Sequence, residues 1–327
     1  MKRQEKEALT FMSMKPLVGD KKAWAGNARS AGSAGSAGKA RLWRWNRLPW
    51  RRRISSAVSQ LFLYTALLIV IFTVACAIVP GWIAPYDPTQ MMTDAILQSP
   101  SASHLFGTDY FGRDIFSVVV HGSRDSLLIG FASVLVGGLV GSALGILAGY
   151  AGGLVDTVTM RVVDILMAVP GVLLALSVAA ALGPGLLNIA LAVAVASIPG
   201  YARVMRGQVM SVKNLPFITA TRSLGGSNAR IFWKHVLPHS LSPLLVMATL
   251  GVGTSILTGS GLSFLGLGVL KEIPDWGALL SQGRGYLTVA WWICTFPGLA
   301  ITLFVLAVNL IGDDIRDRLD PKVKGAA

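Results

Sequence analysis

Thirty-eight consecutive residues, Ile165 to Ala202, carry no charged side chain. One helix of that length would run about 57 Å at ~1.5 Å per residue, against a bilayer core of about 30 Å. Gly183-Pro184-Gly185 interrupts the run, so it reads as two transmembrane helices joined by a tight turn. A second uncharged run, Ile54 to Val79, has 26 residues and follows Arg51-Arg52-Arg53; a span needs about 20. Composition agrees, with 53% hydrophobic and 14% charged residues, where a soluble domain averages roughly 25% charged. A net charge of +13 would suggest nucleic acid if it were spread over a soluble fold, so its distribution decides its meaning.

Taken in order, residues 1–53 form a basic tail with 14 Lys/Arg and a flexible-linker insert, Ser30 to Gly38, and are expected to be disordered. Ile54–Val79 is span one. The segment from Pro80 to Asp125 is a polar loop whose residues Ile115, Val118, Val119 and Leu127 suit a short interfacial helix. Ser126–Val155 is span two, with glycines at 137, 141, 145, 149 and 153, a spacing that lets a neighbouring helix approach closely. Asp156, Arg161 and Asp164 make a short polar connection. Spans three and four follow, then the polar hairpin Asn214–Pro238. Span five is Ser240–Leu270, with a small-residue series at Gly251, Ser255, Gly259 and Ser263. Lys271–Arg284 is a second polar loop. Tyr286, Trp291 and Trp292 mark an interfacial belt at the start of span six, which ends near Gly312.

Other chemistries find little support. Gly38-Lys39 ends like a phosphate-binding loop, but that motif needs Gly at 33 and Ser or Thr at 40, where the chain has Ser33 and Ala40. His104, Asp109, Asp114 and His121 lack the short ligand spacing of a metal site and suit turn-capping or solvated roles. Cys76 and Cys294 lie in apolar runs and make neither a disulfide framework nor a zinc site. No Ser/His, Asp/Asp or His-Glu-His constellation sits in the spans. A cleaved signal peptide is disfavoured by the long region before Ile54 and by Pro80-Gly81-Trp82 where a small-residue cleavage site would be.

With the N-terminus in the cytoplasm, 25 of the 29 Lys/Arg fall in inside segments. The hairpin is then cytoplasmic. Pro216 fits a first helical turn, Gly225-Gly226 can end that helix in a left-handed conformation, and Ser227 or Asn228 can cap a second short helix running to Pro238. Spans one, two, five and six carry no ionisable residue, so the buried acid or base of a proton-coupled carrier is missing. Energy for active transport would have to come from another polypeptide, and a hairpin projecting into the cytosol is a plausible receiver. A self-sufficient channel or secondary carrier is the alternative. The hydroxyls of Thr249, Thr254, Ser255, Thr258 and Ser260 make span five the candidate pathway-lining helix.

The hairpin resembles the EAA loop of membrane subunits of bacterial ABC importers, read here as Thr219-Ala220-Thr221, then Gly225, then His235-Val236-Leu237-Pro238. Three further stretches are similar to the dipeptide/oligopeptide (DppC/OppC-like) subgroup: IAPYDP at Ile83–Pro88, FGTDYFGRD at Phe106–Asp114 and LSFLGLGV at Leu262–Val269. The ending from WGALLSQGRGYL through AWW and FPGLAI to NLIGDDIRDRLDP is similar as well, so the likeness covers about residues 57–324.

The resemblance implies an all-α permease fold with six transmembrane helices and a cytoplasmic helix-turn-helix coupling loop between spans four and five. Four segments follow: the cytoplasmic tail 1–53; the first helix and extracytoplasmic loop 54–125; a core of five helices, 126–312, with the coupling loop at 203–238; and a cytoplasmic tail 313–327. It implies a non-catalytic subunit of an importer in the bacterial inner membrane, with both termini cytoplasmic. Its partners would be a second homologous permease, two cytoplasmic ATPases and an extracytoplasmic binding protein. No cofactor would be bound directly, ATP and Mg belonging to the ATPases. Peptides are the commonest cargo of the subgroup, with nickel, glutathione and other small solutes among relatives. By similarity, Pro216, Thr219, Ala220, Thr221, Arg222, Gly225, His235 and Pro238 would serve ATPase coupling. Thr219 stands where the family has Glu, and Thr221 where it has its second Ala, so shape and the glycine turn would carry the docking rather than charge.

Overall fold

In the computed structural model, secondary structure is described for residues 49–268 and 271–319, and side chains for residues 60–268 and 271–318. The expectations for residues 1–48, with the Gly38-Lys39 motif, and for 320–327 lie outside them. Helix α1 is Pro49–Ile78, α2 Ile115–Ala151, α3 Gly153–Ala168, α4 Gly171–Leu182, α5 Leu186–Lys213, α6 Pro216–Ser223, α7 Ser242–Leu262, α8 Trp276–Gly283 and α9 Trp292–Leu319. Among the described residues five helices are long and apolar enough to cross a membrane: the Gln60–Ile78 part of α1, α2, α5, α7 with its extension to Leu267, and α9. The sixth candidate span is the pair α3 and α4, bent by 91°.

Helix α2 differs from the expectation of an interfacial helix followed by a separate span at Ser126. It runs unbroken for 37 residues, about 56 Å at ~1.5 Å each, because nothing between Ile115 and Ala151 breaks it. Its first turns extend beyond what a bilayer core covers, and there Asp125 accepts a hydrogen bond from Lys271 Nζ at 2.8 Å. A boundary at 125/126 therefore falls inside a helix, and the described residues from Gln60 onward form one compact unit.

The α2 glycines do what their spacing predicted, up to Gly149. A Cβ on Gly141 would lie 2.5 Å from Ile198 O, and one on Gly145 would lie 2.2 Å from Ala202 O, so α2 and α5 meet backbone to backbone. Gly153 is different: Gly152 and Gly153 take φ of 69° and 55° and form the turn into α3. Asp156, Arg161 and Asp164 are consequently helical rather than a connection. Helix α3 stops where Val169 and Pro170 are extended (ψ 131° and 129°), since proline disfavours a helical residue before it and removes a backbone donor. The Gly183-Pro184-Gly185 turn joins α4 to α5 as expected, with Asn188 Nδ2 donating to Leu182 O at 3.0 Å and Gly183 O at 3.1 Å.

The main core joins α2, α7, α8 and α9 through Ile115, Ile256, Leu279, Ile293 and Phe304. Helix α8 replaces the polar loop expected after span five. Asp275 caps it, Oδ1 accepting from Gly277 N at 2.8 Å and Ala278 N at 3.2 Å, and buried Trp276 donates Nε1–H to Val119 O at 2.9 Å. Burial raises the Asp275 pKa, opposed by those backbone donors.

The expected aromatic belt is largely internal: Tyr286 stacks on Tyr110 at 4.9 Å, Trp292 is buried and donates to Thr108 O at 3.0 Å, and of the three only Trp291 is exposed, at 52%. The four residues weighed as metal ligands have other roles. His104 Nδ1 meets Asp114 Oδ1 at 3.0 Å, Asp114 caps α2 through Ser117 N at 2.9 Å, Asp109 pairs with Arg113 at 2.7 Å, and His121 Nδ1 lies 2.9 Å from Ser117 O. The final helix continues past Gly312 to Leu319, so the first part of the segment assigned to a tail is helical.

Candidate coupling hairpin and pathway cleft

The hairpin after α5 follows from its local chemistry. Pro216 opens α6. The helix ends with Gly225 N donating to Arg222 O and Gly226 N to Thr221 O, both at 3.0 Å. This is a Schellman arrangement, which needs a left-handed residue after the helix; Gly225 supplies φ +84°. Ser227 caps the second arm, its hydroxyl accepting from Arg230 N at 3.4 Å. That arm is helical over 228–240, with a π turn at Phe232–Val236 immediately before Leu237–Ser240. Pro238 explains the π turn, because its ring and missing N–H conflict with the carbonyl four residues earlier in a regular helix.

Two kinds of contact fix the hairpin to the ends of the long helices. Ile218, Ile231 and Val236 are buried against Val209 and Val212 of α5. Tyr150, at the end of α2, donates its hydroxyl to Asn228 O at 2.7 Å, and Lys213 Nζ donates to Tyr150 O at 2.8 Å. Phe217 lies edge-on to His235 at 6.0 Å and tilted to His239 at 5.6 Å, tying the two arms together.

Of the eight predicted coupling residues, Pro216, Thr219, Ala220, Arg222, Gly225 and Pro238 are exposed, while Thr221 and His235 are half-buried between the arms. Beside them the sequence reading missed two apolar groups, Leu224, 89% exposed, and Trp233, 67% exposed. Arg222, Arg230 and Lys234 of the same hairpin are exposed as well. The hairpin thus exposes two large apolar side chains and three basic ones, and is packed and hydrogen-bonded to α2 and α5. A partner that pushed on the hairpin would move both helices.

The five candidate pathway residues separate. Thr254, Ser255 and Thr258 share a cleft of about 260 Å³ with Gly171, Val172 and Ser197. Thr249 lies elsewhere, in an apolar groove with Phe131 and Phe304. Ser260 is buried under α8, where a Cβ on Gly277 would lie 2.2 Å from Ser260 O. The small-residue series is chiefly a packing face: a Cβ on Gly251 would lie 2.4 Å from Tyr201 Oη, and one on Gly259 2.4 Å from Ile129 Cγ2. Gly171 and Val172 were missed because their role depends on the bend at Pro170.

Residues 141–325 match the family described as the binding-protein-dependent transport system inner membrane component. The chain belongs to this family. It is 45% identical over 267 residues to the di/tripeptide transport system permease protein DppC of Pseudomonas aeruginosa (strain UCBPP-PA14), covering 80% of this chain and 88% of that one. It is 43% identical over 279 residues to the glutathione transport system permease protein GsiD of Pectobacterium atrosepticum, covering 85% and 93%. The probable D,D-dipeptide transport system permease protein DdpC of Escherichia coli (strain K12) is 42% identical, covering 80% and 88%. Among solved structures, a chain of the methionine ABC transporter MetNI superposes with a TM-score of 0.51 at 19% identity, covering 62% of this chain and 97% of that one. The all-α, multi-pass permease fold expected from the sequence is therefore the fold of this family, and the chain is a membrane-spanning permease component of a bacterial ABC importer.

Proposed function

We propose that this permease forms half of the translocation pathway of an ATP-driven importer of di- or oligopeptides. It pairs with a second homologous permease, receives cargo from an extracytoplasmic binding protein and is driven by two cytoplasmic ATPases. The permease itself performs no catalysis and holds no cofactor; ATP and Mg act on the ATPases. Both termini and the hairpin lie on the cytoplasmic side, in keeping with the distribution of Lys and Arg.

The observation that carries this reading is the hairpin itself: exposed Leu224 and Trp233 together with exposed Arg222, Arg230 and Lys234, on a scaffold packed into α2 and α5. Closure of an ATPase dimer gripping that surface turns the two helices as a unit and switches the pathway between inward- and outward-open states. Peptide cargo rests on the names of the relatives DppC and DdpC. The likeness to GsiD supports a second reading, glutathione, which is itself a small peptide.

Affinity purification after mild detergent extraction tests the assembly. Recovery of an ATPase and a second polytopic permease with this chain is expected, together with peptide bound to the cognate binding protein. Uptake by this chain alone in liposomes without ATP would instead favour a self-sufficient channel or carrier.

A further inference from the structure

The cleft at the bend between α3 and α4 lies about halfway along α5 and α7, and its polar groups divide into donors and acceptors. The donors belong to the first turn of α4. Pro170 occupies its N-cap position and offers no side-chain acceptor. Among the described residues the backbone N–H groups of Gly171 and Val172, both in the cleft lining, thus keep their hydrogen-bonding capacity, while Leu174 N already donates to Pro170 O at 3.0 Å. A helix start with free N–H groups and the positive end of its dipole favours an anion, and broken membrane helices present such ends to anionic substrate groups near mid-membrane.

A separate observation points to the same ligand. Ser255 lines the cleft with only 4% of its surface exposed. Its neighbours return their hydroxyl protons to their own helices, Thr254 to Gly251 O at 3.1 Å and Thr258 to Thr254 O at 2.8 Å, as Ser197 does to Ala194 O at 2.8 Å. Among the described residues the Ser255 hydroxyl has no such partner. Its proton is therefore available to the cleft, whereas Thr254 and Thr258 offer lone pairs.

We propose that this cleft is a transit site for the terminal carboxylate of the peptide cargo, received by the first-turn N–H groups of α4 and the Ser255 hydroxyl, with Thr254 and Thr258 accepting from the adjacent peptide N–H. The proposal rests on the peptide reading above. Among the described residues no cationic side chain lines the cleft, so it holds a carboxylate weakly, as a pathway that must release its cargo requires.

The test uses the complete reconstituted transporter with saturating binding protein and compares uptake of alanyl-alanine with that of its C-terminal amide. Any discrimination by the binding protein is common to all variants. Gly171→Pro deletes one donor at a helix position that accepts proline, after a residue already extended (ψ 129°). Gly171→Ala keeps the donor, and its Cβ enters open space. Gly171→Pro and Ser255→Ala are expected to lower the acid-to-amide uptake ratio by roughly three- to tenfold at unchanged melting temperature, with Gly171→Ala keeping most of the preference. If the binding protein does not deliver the amide, the same pattern in alanyl-alanine turnover supports the site. An unchanged ratio or turnover, or a loss in Gly171→Ala equal to that in Gly171→Pro, overturns the site alone. Absence of all peptide uptake by the unaltered complex overturns the peptide reading and this inference with it.

Discussion

Arg206 of α5 grips both carboxylate oxygens of Asp156 of α3, with Nη2 to Oδ2 at 2.6 Å and Nε bonded to Oδ1. Arg203 and Asp164 form a parallel pair further along the same two helices. Together they hold the outer arm of a bent span whose apolar side chains, such as Leu154 and Ile165, are otherwise exposed.

A double-mutant cycle on Asp156→Asn and Arg206→Gln, read by melting of the purified permease in detergent, should give a coupling of about 1–2 kcal/mol. The pair is partly exposed, at 19% and 32% of the side chains, so solvent screening keeps the value below that of a fully buried pair. Strictly additive single variants would contradict the clamp.

The α2–α5 contact predicts a sharp contrast between glycines. Gly145→Ala forces a Cβ to 2.2 Å from Ala202 O and 2.9 Å from Met205 Cβ, and should destabilise by about 1–3 kcal/mol. Gly207→Ala lies in α5 with nothing within 4 Å and should be neutral or stabilising by up to about 1 kcal/mol through helix propensity. Melting of both variants in detergent checks the contrast.

Asp275 gives a pH signature. Its folded pKa is raised, chiefly by burial; the stability it contributes is therefore greatest below the unfolded value of 3.8 and is lost as pH rises through the higher folded value. Asn keeps the capping oxygen without the charge. Asp275→Asn should gain melting temperature over the unaltered chain as pH rises from about 4 to about 7, while the two converge at the acid end. A difference independent of pH would contradict the burial effect.

How much of this was legible in the sequence depends on whether a feature is encoded locally. The hairpin was, because Pro216, Gly225 and Ser227 each fix one backbone decision within a few residues. The α2–α5 contact was half legible: the glycine spacing announced a close neighbour but did not name Ile198 and Ala202, and it ran one glycine too far into the turn at Gly152-Gly153. The adjacent charges Arg124 and Asp125 suggested a helix boundary because charge at a span edge resembles one, and the Lys271 partner of Asp125 lies 146 positions away. Pro170 and Asp275 did carry signals, a helix break and an N-cap, but the long uncharged run and the polar loop around them obscured both. The cleft was only partly visible: hydroxyls on span five were conspicuous, while the donors of α4 are backbone groups with no side-chain signature.

The most direct measurement is peptide-stimulated ATP hydrolysis and ATP-driven peptide uptake by the reconstituted transporter carrying Gly225→Val or Gly225→Asn. The position has φ +84° and no neighbour within 4 Å of an added Cβ, so Val meets backbone strain alone, and Asn tolerates the left-handed conformation far better. The coupling account predicts normal membrane insertion for both, loss of stimulated hydrolysis and uptake for Val, and retention of most of both for Asn. Undiminished stimulation and uptake in Gly225→Val would contradict it.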